Sequence, residues 1–374
     1  MFGQAAPPST EVPFPTAAKP DSAAAKRDTI KAPFGRGFGS HTADIGPQYQ
    51  WNREQLFASG AATVADLLER VPGATSFRTG GLASPKFVAV NGDLRKIKVF
   101  YDGIELDNID PRSGSILDLT TVALWTLENV QIERFANELR VSLRSWRVDS
   151  TDPSTRTDVY TGDEDTNIYR GFYGKRFNNG AGLQLAGQQY STRSARFGGG
   201  GDALSLLARV GIAKKMWSVD AYAERRNASR VIQPTFGSGL SLPPFEGTTT
   251  LAYIRGGLGN PEGGPWLQAI ASSMRLAESS QHITPPDAFT RHIRADTTDT
   301  TTKRLQYLMS AGIAKGIVRA SVSDRIRAFS GDVNQTPSVR FELNGNPGVV
   351  GLFAEHNGGT KRRRVDGVFR VTPL

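Results

Sequence analysis

The chain has 374 residues, 38% of them hydrophobic and 22% charged, and no cysteine. That length holds two or three domains, or one large β domain with a small companion. The missing cysteines exclude disulfides, zinc–thiolate sites and thiol nucleophiles, and no apolar run is long enough for a membrane helix. Membrane strands of alternating apolarity escape that last test. The net charge is +9. Apart from Lys361-Arg362-Arg363-Arg364 it is dispersed, which fits a charged surface or wet lumen and argues against nucleic acid as a partner.

Residues 1–50 are rich in Pro, Ala and Gly, with too few large apolar groups to offset the entropy of ordering, so a disordered tail is expected. Met1-Phe2-Gly3-Gln4 has neither the basic start nor the apolar core of an export signal. The pattern sharpens at Thr63, which can cap the amide of Asp66. Val64, Leu67, Leu68 and Val71 then share one helical face, and Pro72-Gly73 stops the helix. Phe87 to Val90 and Lys96 to Tyr101 read as strands around the turn Asn91-Gly92-Asp93, and Asp102-Gly103 turns the chain again. Leu127 to Phe135 reads as a third strand. Leu67, Leu68, Val88, Val90, Ile97, Val99, Leu117, Val130 and Ile132 are the expected core.

From Leu139 onward the period is two. Leu204, Leu206, Ala208, Val210 and Ile212 oppose a set containing Ser205 and Arg209. Trp217, Val219, Ala221 and Ala223 oppose Ser218, Asp220 and Glu224. Short connections such as Asn178-Asn179-Gly180 alternate with longer ones, and 231–265 reads as one long external loop. Tyr169, Tyr173, Phe177, Trp217, Phe329, Phe353 and Phe369 lie near strand ends. This patterning suits a membrane barrel, and it equally suits a soluble sandwich or barrel.

The stretch T-V-A-D-L-L-E-R-V-P-G (Thr63 to Gly73), the Gly80-Gly81 patch, F-V-A-V-N-G (Phe87 to Gly92), V-F-Y-D-G-I-E-L (Val99 to Leu106) and L-E-N-V-Q-I-E-R (Leu127 to Arg134) resembles, in order and spacing, the plug domain of TonB-dependent outer-membrane receptors. The resemblance implies a mostly β fold, with a small mixed α/β plug domain followed by part of an antiparallel transmembrane β-barrel. The expected division is a tail over 1–50, a plug over 51–138 and a partial barrel over 139–374. Membrane strands take about 10 residues plus a connection, so roughly 8 to 10 strands are expected after Val148. A barrel that small cannot enclose a plug, so the chain is expected to be part of a longer receptor, with an export signal and further strands outside it.

By resemblance the protein is expected in the cell outer membrane. There it would take up a scarce nutrient such as a siderophore, with outer-membrane lipid and the inner-membrane TonB energy-transducing complex as partners. The alternative is a soluble periplasmic β-rich binding or structural module. Arg78, Tyr101 and Arg112 would face the solute, while Leu67, Leu68, Pro72, Gly73, Val90, Gly92, Asp102, Gly103 and Ile132 would form plug core and turns. No segment before Thr63 stands out as a TonB contact.

No catalytic constellation, metal or cofactor site is expected. His41, His282, His292 and His356 are scattered without carboxylates at ligand spacing. Asp152, Asp158, Asp163, Glu164 and Asp165 read as a charged loop.

Overall fold

The computed structural model describes residues 29–30, 50–78, 83–106, 116–135, 138–163, 165–194, 199–231, 233–234, 241–242, 244–261, 263–284, 294–346 and 348–371. Most of the expected tail, Gly80-Gly81, Arg112, His41 and His292 lie outside them. Within the tail, Thr29 bridges Ser150, and the Ile30 amide donates to the Asp149 carbonyl at 2.9 Å.

The small domain runs through β1 (Gln50–Asn52), α1 (Arg53–Ala58), α2 (Val64–Leu68), β2 (Ala74–Arg78), β3 (Lys86–Val90), β4 (Ile97–Tyr101), β5 (Ile104–Leu106), β6 (Leu127–Arg134) and β7 (Leu139–Ser145). Its main sheet has the order β1-β6-β7-β4-β5, with β4 parallel to β7. A separate hairpin pairs β2 with β3.

The α2 capping box forms as the sequence requires: the Asp66 amide donates to Thr63 Oγ1, and the Asp66 carboxylate accepts from the Thr63 amide. Lys86 also binds that carboxylate. Burial raises the Asp66 pKa, but Lys86 and Thr63 outweigh it and hold the carboxyl below its ordinary range. The helix ends at Leu68, ahead of Pro72, through turns that join Val71 to Leu68 and Ala74 to Val71. Its apolar face is buried: Val64, Leu67 and Leu68 are 0% exposed. These side chains join Val88, Val90, Val99, Val130 and Ile132 in one core, with Ile97 and Leu117 packed on its margin. So short a helix survives only by such docking.

Two tight turns lie on either side of β4. Asn91 and Gly92 have φ of 50° and 79°, and Asp102 and Gly103 have φ of 50° and 91°. Both pairs meet the requirement for positive φ at the two central residues of a type I′ turn. The second turn joins β4 to β5 with Tyr101 opposite Ile104.

The long sheet contains β8 (Ser154–Gly162), β9 (Thr166–Arg176), β10 (Ala181–Ser194), β11 (Gly199–Ala213), β12 (Trp217–Arg230), β15 (Phe245–Gly259), β16 (Pro265–Thr284), β17 (Arg294–Lys315), β18 (Val318–Phe329), β19 (Asp332–Gly345), β20 (Gly348–Asn357) and β21 (Arg362–Val371). The short β13 (Gln233–Pro234) and β14 (Ser241–Leu242) pair only with each other. All twelve long strands run antiparallel in sequence order.

Three expectations change. Leu139 to Ser145 does not open the long sheet; β7 lies between β6 and β4 in the small domain. Its alternation is that of a half-buried strand in either place, and periodicity cannot choose between them. Second, 231–265 is not one loop, because β15 lies within it, paired with β12 and β16. Its Gly247, Gly256 and Gly257 dilute the apolar signal. Third, the sheet has twelve strands rather than eight to ten. Length divided by strand plus connection undercounts here, because several connections are tighter: three residues separate β11 from β12, and two separate β17 from β18 and β18 from β19.

Alternation sorts the two faces. Leu206, Val210, Val219, Ile254, Met309 and Leu352 are exposed on one, whereas Gln184, Arg209, Asp220, Arg255, Gln306 and Arg325 are buried on the other. The polar face holds the small domain. Trp146 stacks on Phe172 of β9 at 4.1 Å, and Glu138 pairs with Arg364 of β21 at 2.8 Å. The sheet therefore curls around the domain from near one edge to the other. Phe353, expected near a strand end, lies in the middle of β20, where it is buried and packs on Phe135.

Candidate functional site: the seam between small domain and sheet

The Asp102-Gly103 turn carries the densest group of contacts. A φ of 50° is tolerated by Asp because its short side chain bonds locally. Asp102 Oδ1 accepts from the Ser145 amide at 3.1 Å, and Oδ2 accepts from Tyr253 Oη at 2.6 Å and from Arg209 Nη2 at 3.3 Å. Arg209 also donates to Tyr253 Oη at 2.8 Å and to the Trp146 carbonyl at 3.1 Å. Beside them, the Tyr101 and Tyr222 hydroxyls lie 2.8 Å apart, and Tyr222 donates to Glu224. A Cβ on Gly103 would stand 3.2 Å from Leu308 Cδ2. The turn is pressed against the wall and needs glycine both for φ and for space.

Along β5, Glu105 projects into three arginines of the sheet. Its carboxylate lies 3.2 Å from Arg325 and 3.0 Å from Arg327, and its carbonyl accepts from Arg304. Burial raises the Glu105 pKa, but Arg325 and Arg327 outweigh it and hold the carboxyl at about 2. Glu133 of β6 meets Arg340 at 2.8 and 3.0 Å. Arg140 of β7 reverses the polarity, binding both oxygens of Glu355 at 2.9 Å. It also contacts Glu138, which Lys98 and Arg364 approach as well. Burial raises the Glu138 pKa, but Arg140, Lys98 and Arg364 bring the carboxyl below its ordinary range.

Asp102, Glu105, Glu133 and Glu138 of the small domain thus face wall arginines, and its Arg140 faces a wall carboxylate. The chemistry is adhesive. Buried pairs of this kind contribute little net stability while intact, yet losing one partner is costly because the other charge is stranded. The seam has an apolar part too, where Tyr222, Leu251, Tyr253, Ile270 and Leu308 continue the small domain's core. Among the described residues no His, Asp and Glu group is arranged to hold a metal.

The residues expected to face a solute separate. Tyr101 is 3% exposed and belongs to the seam, because its hydroxyl finds its partner on the wall. Arg78 ends β2 opposite Lys86 and is half-buried. Arg112 lies outside the described residues. Glu105, Glu133 and Arg140 were not singled out in the sequence. The available signal was arginine recurring on the polar side of the alternation, at Arg209, Arg304, Arg325 and Arg340, which requires counter-charges somewhere in the chain.

Residues 45–141 match the sequence model of the TonB-dependent Receptor Plug Domain. No curated protein matches the chain. The siderophore receptor PirA from Acinetobacter baumannii superposes with a TM-score of 0.65 at 11% identity, over 87% of this chain and 58% of that one. For the copper transporter OprC the TM-score is 0.64 at 10% identity, over 85% and 60%. For the ferric yersiniabactin uptake receptor FyuA from Yersinia pestis it is 0.60 at 11%, over 86% and 60%. The chain spans about three-fifths of the length of these receptors. At these identities the likeness is one of fold: a plug domain seated on part of a receptor barrel.

Proposed function

We propose that this chain, a TonB-dependent receptor plug followed by twelve strands of a barrel wall, belongs to an outer-membrane receptor that takes up a scarce solute in an energy-coupled way. One observation carries the reading. The sheet is apolar on the face turned away from the plug and charged on the face turned toward it, which is what a wall between lipid and a wet lumen requires. Ion pairs and hydrogen bonds run along the seam between plug and wall, contacts that water can replace when the plug is pulled aside. The inner-membrane TonB complex supplies that pull. The receptor moves its cargo without making or breaking a bond in it, and an iron–siderophore complex is the first cargo to test.

The test is uptake of a panel of radiolabelled ferric siderophores by cells producing the full-length protein, with and without a working TonB complex. Uptake of at least one that depends on both the protein and TonB supports the reading. Equal uptake without the protein across the panel contradicts the siderophore assignment. Uptake that ignores TonB contradicts the energy coupling.

A further inference from the structure

The register places a basic group on the face of the sheet turned away from the plug. Arg225 on β12 is opposite Thr250 on β15, Thr250 is opposite Arg275 on β16, and Arg275 is opposite Lys303 on β17. All three basic residues are exposed. Their strand neighbours Glu224 and Arg304 point the other way, Glu224 half-buried against Tyr222 and Arg304 buried.

The height of this group decides what it can meet. Arg275 stands roughly 33 Å along β16 from the Pro265 turn, or roughly 25 Å of height at the usual strand tilt. That is about the height of the apolar band on such a wall. Below the group the outward surface is apolar, with Ile254 at 60%, Tyr307 at 47% and Met309 at 61% exposure. Between these, β16 presents the small side chains of Ser273, Ala271 and Ala269, opposite Ala252, Ile254 and Gly256 of β15 and Leu305, Tyr307 and Met309 of β17. This leaves a shallow furrow running down from Arg275. The carboxylates of Glu246 and Asp299 on the same face lie farther out, in register through Ser279. An anion rising from the apolar band therefore meets the cations first.

We propose that Arg225, Arg275 and Lys303 form a docking site for a lipid with an anionic phosphate headgroup. The two guanidinium forks and the ammonium engage the phosphate oxygens, and one acyl chain lies along the Ser273–Ala269 furrow. The site rests on the outer-membrane reading above. It is separate from the transport path, being on the opposite face of the wall.

The test uses the full-length protein purified from outer membranes, with native mass spectrometry of lipid adducts. The probes are dioleoyl phosphatidic acid and dioleoyl phosphatidylcholine. Phosphatidic acid is expected to bind about tenfold more tightly, a preference of about 1.4 kcal/mol. The Arg275→Ala/Lys303→Ala double variant should lose that preference, and the charge-keeping Arg275→Lys should retain part of it. Heat-modifiable gel migration checks that each variant is folded; should the double variant fail it, Arg275→Gln alone takes its place. Equal binding of the two lipids, or an unchanged preference in the variant, overturns the proposal. Displacement by millimolar inorganic phosphate also overturns it, by showing a free-anion site. If the protein is absent from the outer-membrane fraction, the functional reading itself fails; a missing lipid preference in protein that is present there removes only this site.

Discussion

Tyr253 of the barrel wall donates to Asp102 of the plug across 2.6 Å, deep under a turn that the sequence marks only as Asp-Gly. Around that bond, Arg209 touches Asp102, Tyr253 and the Trp146 carbonyl together. One carboxylate therefore organises a plug turn, the strand β7 and two wall strands.

Asp102→Ala should leave Arg209 with Asp220 as its remaining counter-charge and take the acceptor from Tyr253 and the Ser145 amide, at a cost of about 1–3 kcal/mol for buried donors left unpaired. Asp102→Asn keeps the shape and tolerates the positive φ, and should cost less. Limited proteolysis of the plug in the otherwise intact barrel, with thermal unfolding alongside, reads the difference. Equal protease resistance in Asp102→Ala and the parent would show that the turn is held by its apolar contacts alone.

Glu105 gives the seam a pH dependence of known sign. Its carboxyl sits at about 2 in the folded protein, against an unfolded value of about 4.3. A depressed folded pKa means that the stabilisation is full above the unfolded value and is lost as pH falls through the folded one. Plug release, followed by proteolysis after brief acid exposure, should therefore rise between about pH 4.3 and pH 2. Glu105→Gln should flatten this part of the profile while weakening the plug at neutral pH.

Gly103→Ala should destabilise the plug by about 1–2 kcal/mol through the left-handed backbone alone, with a further contribution from the 3.2 Å approach to Leu308. Pairing it with Leu308→Ala in a double-mutant cycle separates the two. The contact part should be relieved, and the backbone part should stay.

Much of the plug was legible because its signals are local. Thr63 and Asp66 announce a capping box, the 64/67/68 spacing a buried face, and Asn91-Gly92 and Asp102-Gly103 their turns, and each forms as expected. The place of β7 was not legible, because Leu139, Val141 and Leu143 alternate as they would in either sheet, and only the parallel pairing with β4 decides. β15 was obscured by glycines. The seam was the least legible part, because its partners lie far apart in sequence: Arg140 finds Glu355, and Glu105 finds Arg325. Composition indicates that inward arginines need carboxylates without saying which ones.

Arg140 spans two carboxylates, its Nη2 donating to both oxygens of Glu355 and its Nε to Glu138, and the single ammonium of lysine cannot hold both at once. Arg140→Lys is expected to loosen the plug nearly as much as Arg140→Ala does. The reversed pair Arg140→Glu/Glu355→Arg should recover part of the loss relative to either single reversal. Protease resistance of the plug measures all five, and strictly additive effects of the reversals would show that the two residues do not interact.

On the proposed reading, this sheet has lipid on one face and the plug on the other. The protein has no cysteine, so single introduced cysteines report cleanly. Ile254→Cys on the outward face and Gln306→Cys on the plug-facing side, labelled in outer-membrane vesicles, give the most direct measurement. The Ile254→Cys thiol should resist a water-soluble maleimide and react with a lipid-dissolved one. Cys at 306 should be protected from both until the plug is loosened by Asp102→Ala, and should then react with the water-soluble reagent. Rapid labelling at 254 by the water-soluble maleimide, as fast as at an exposed turn such as Lys215→Cys, would contradict that reading.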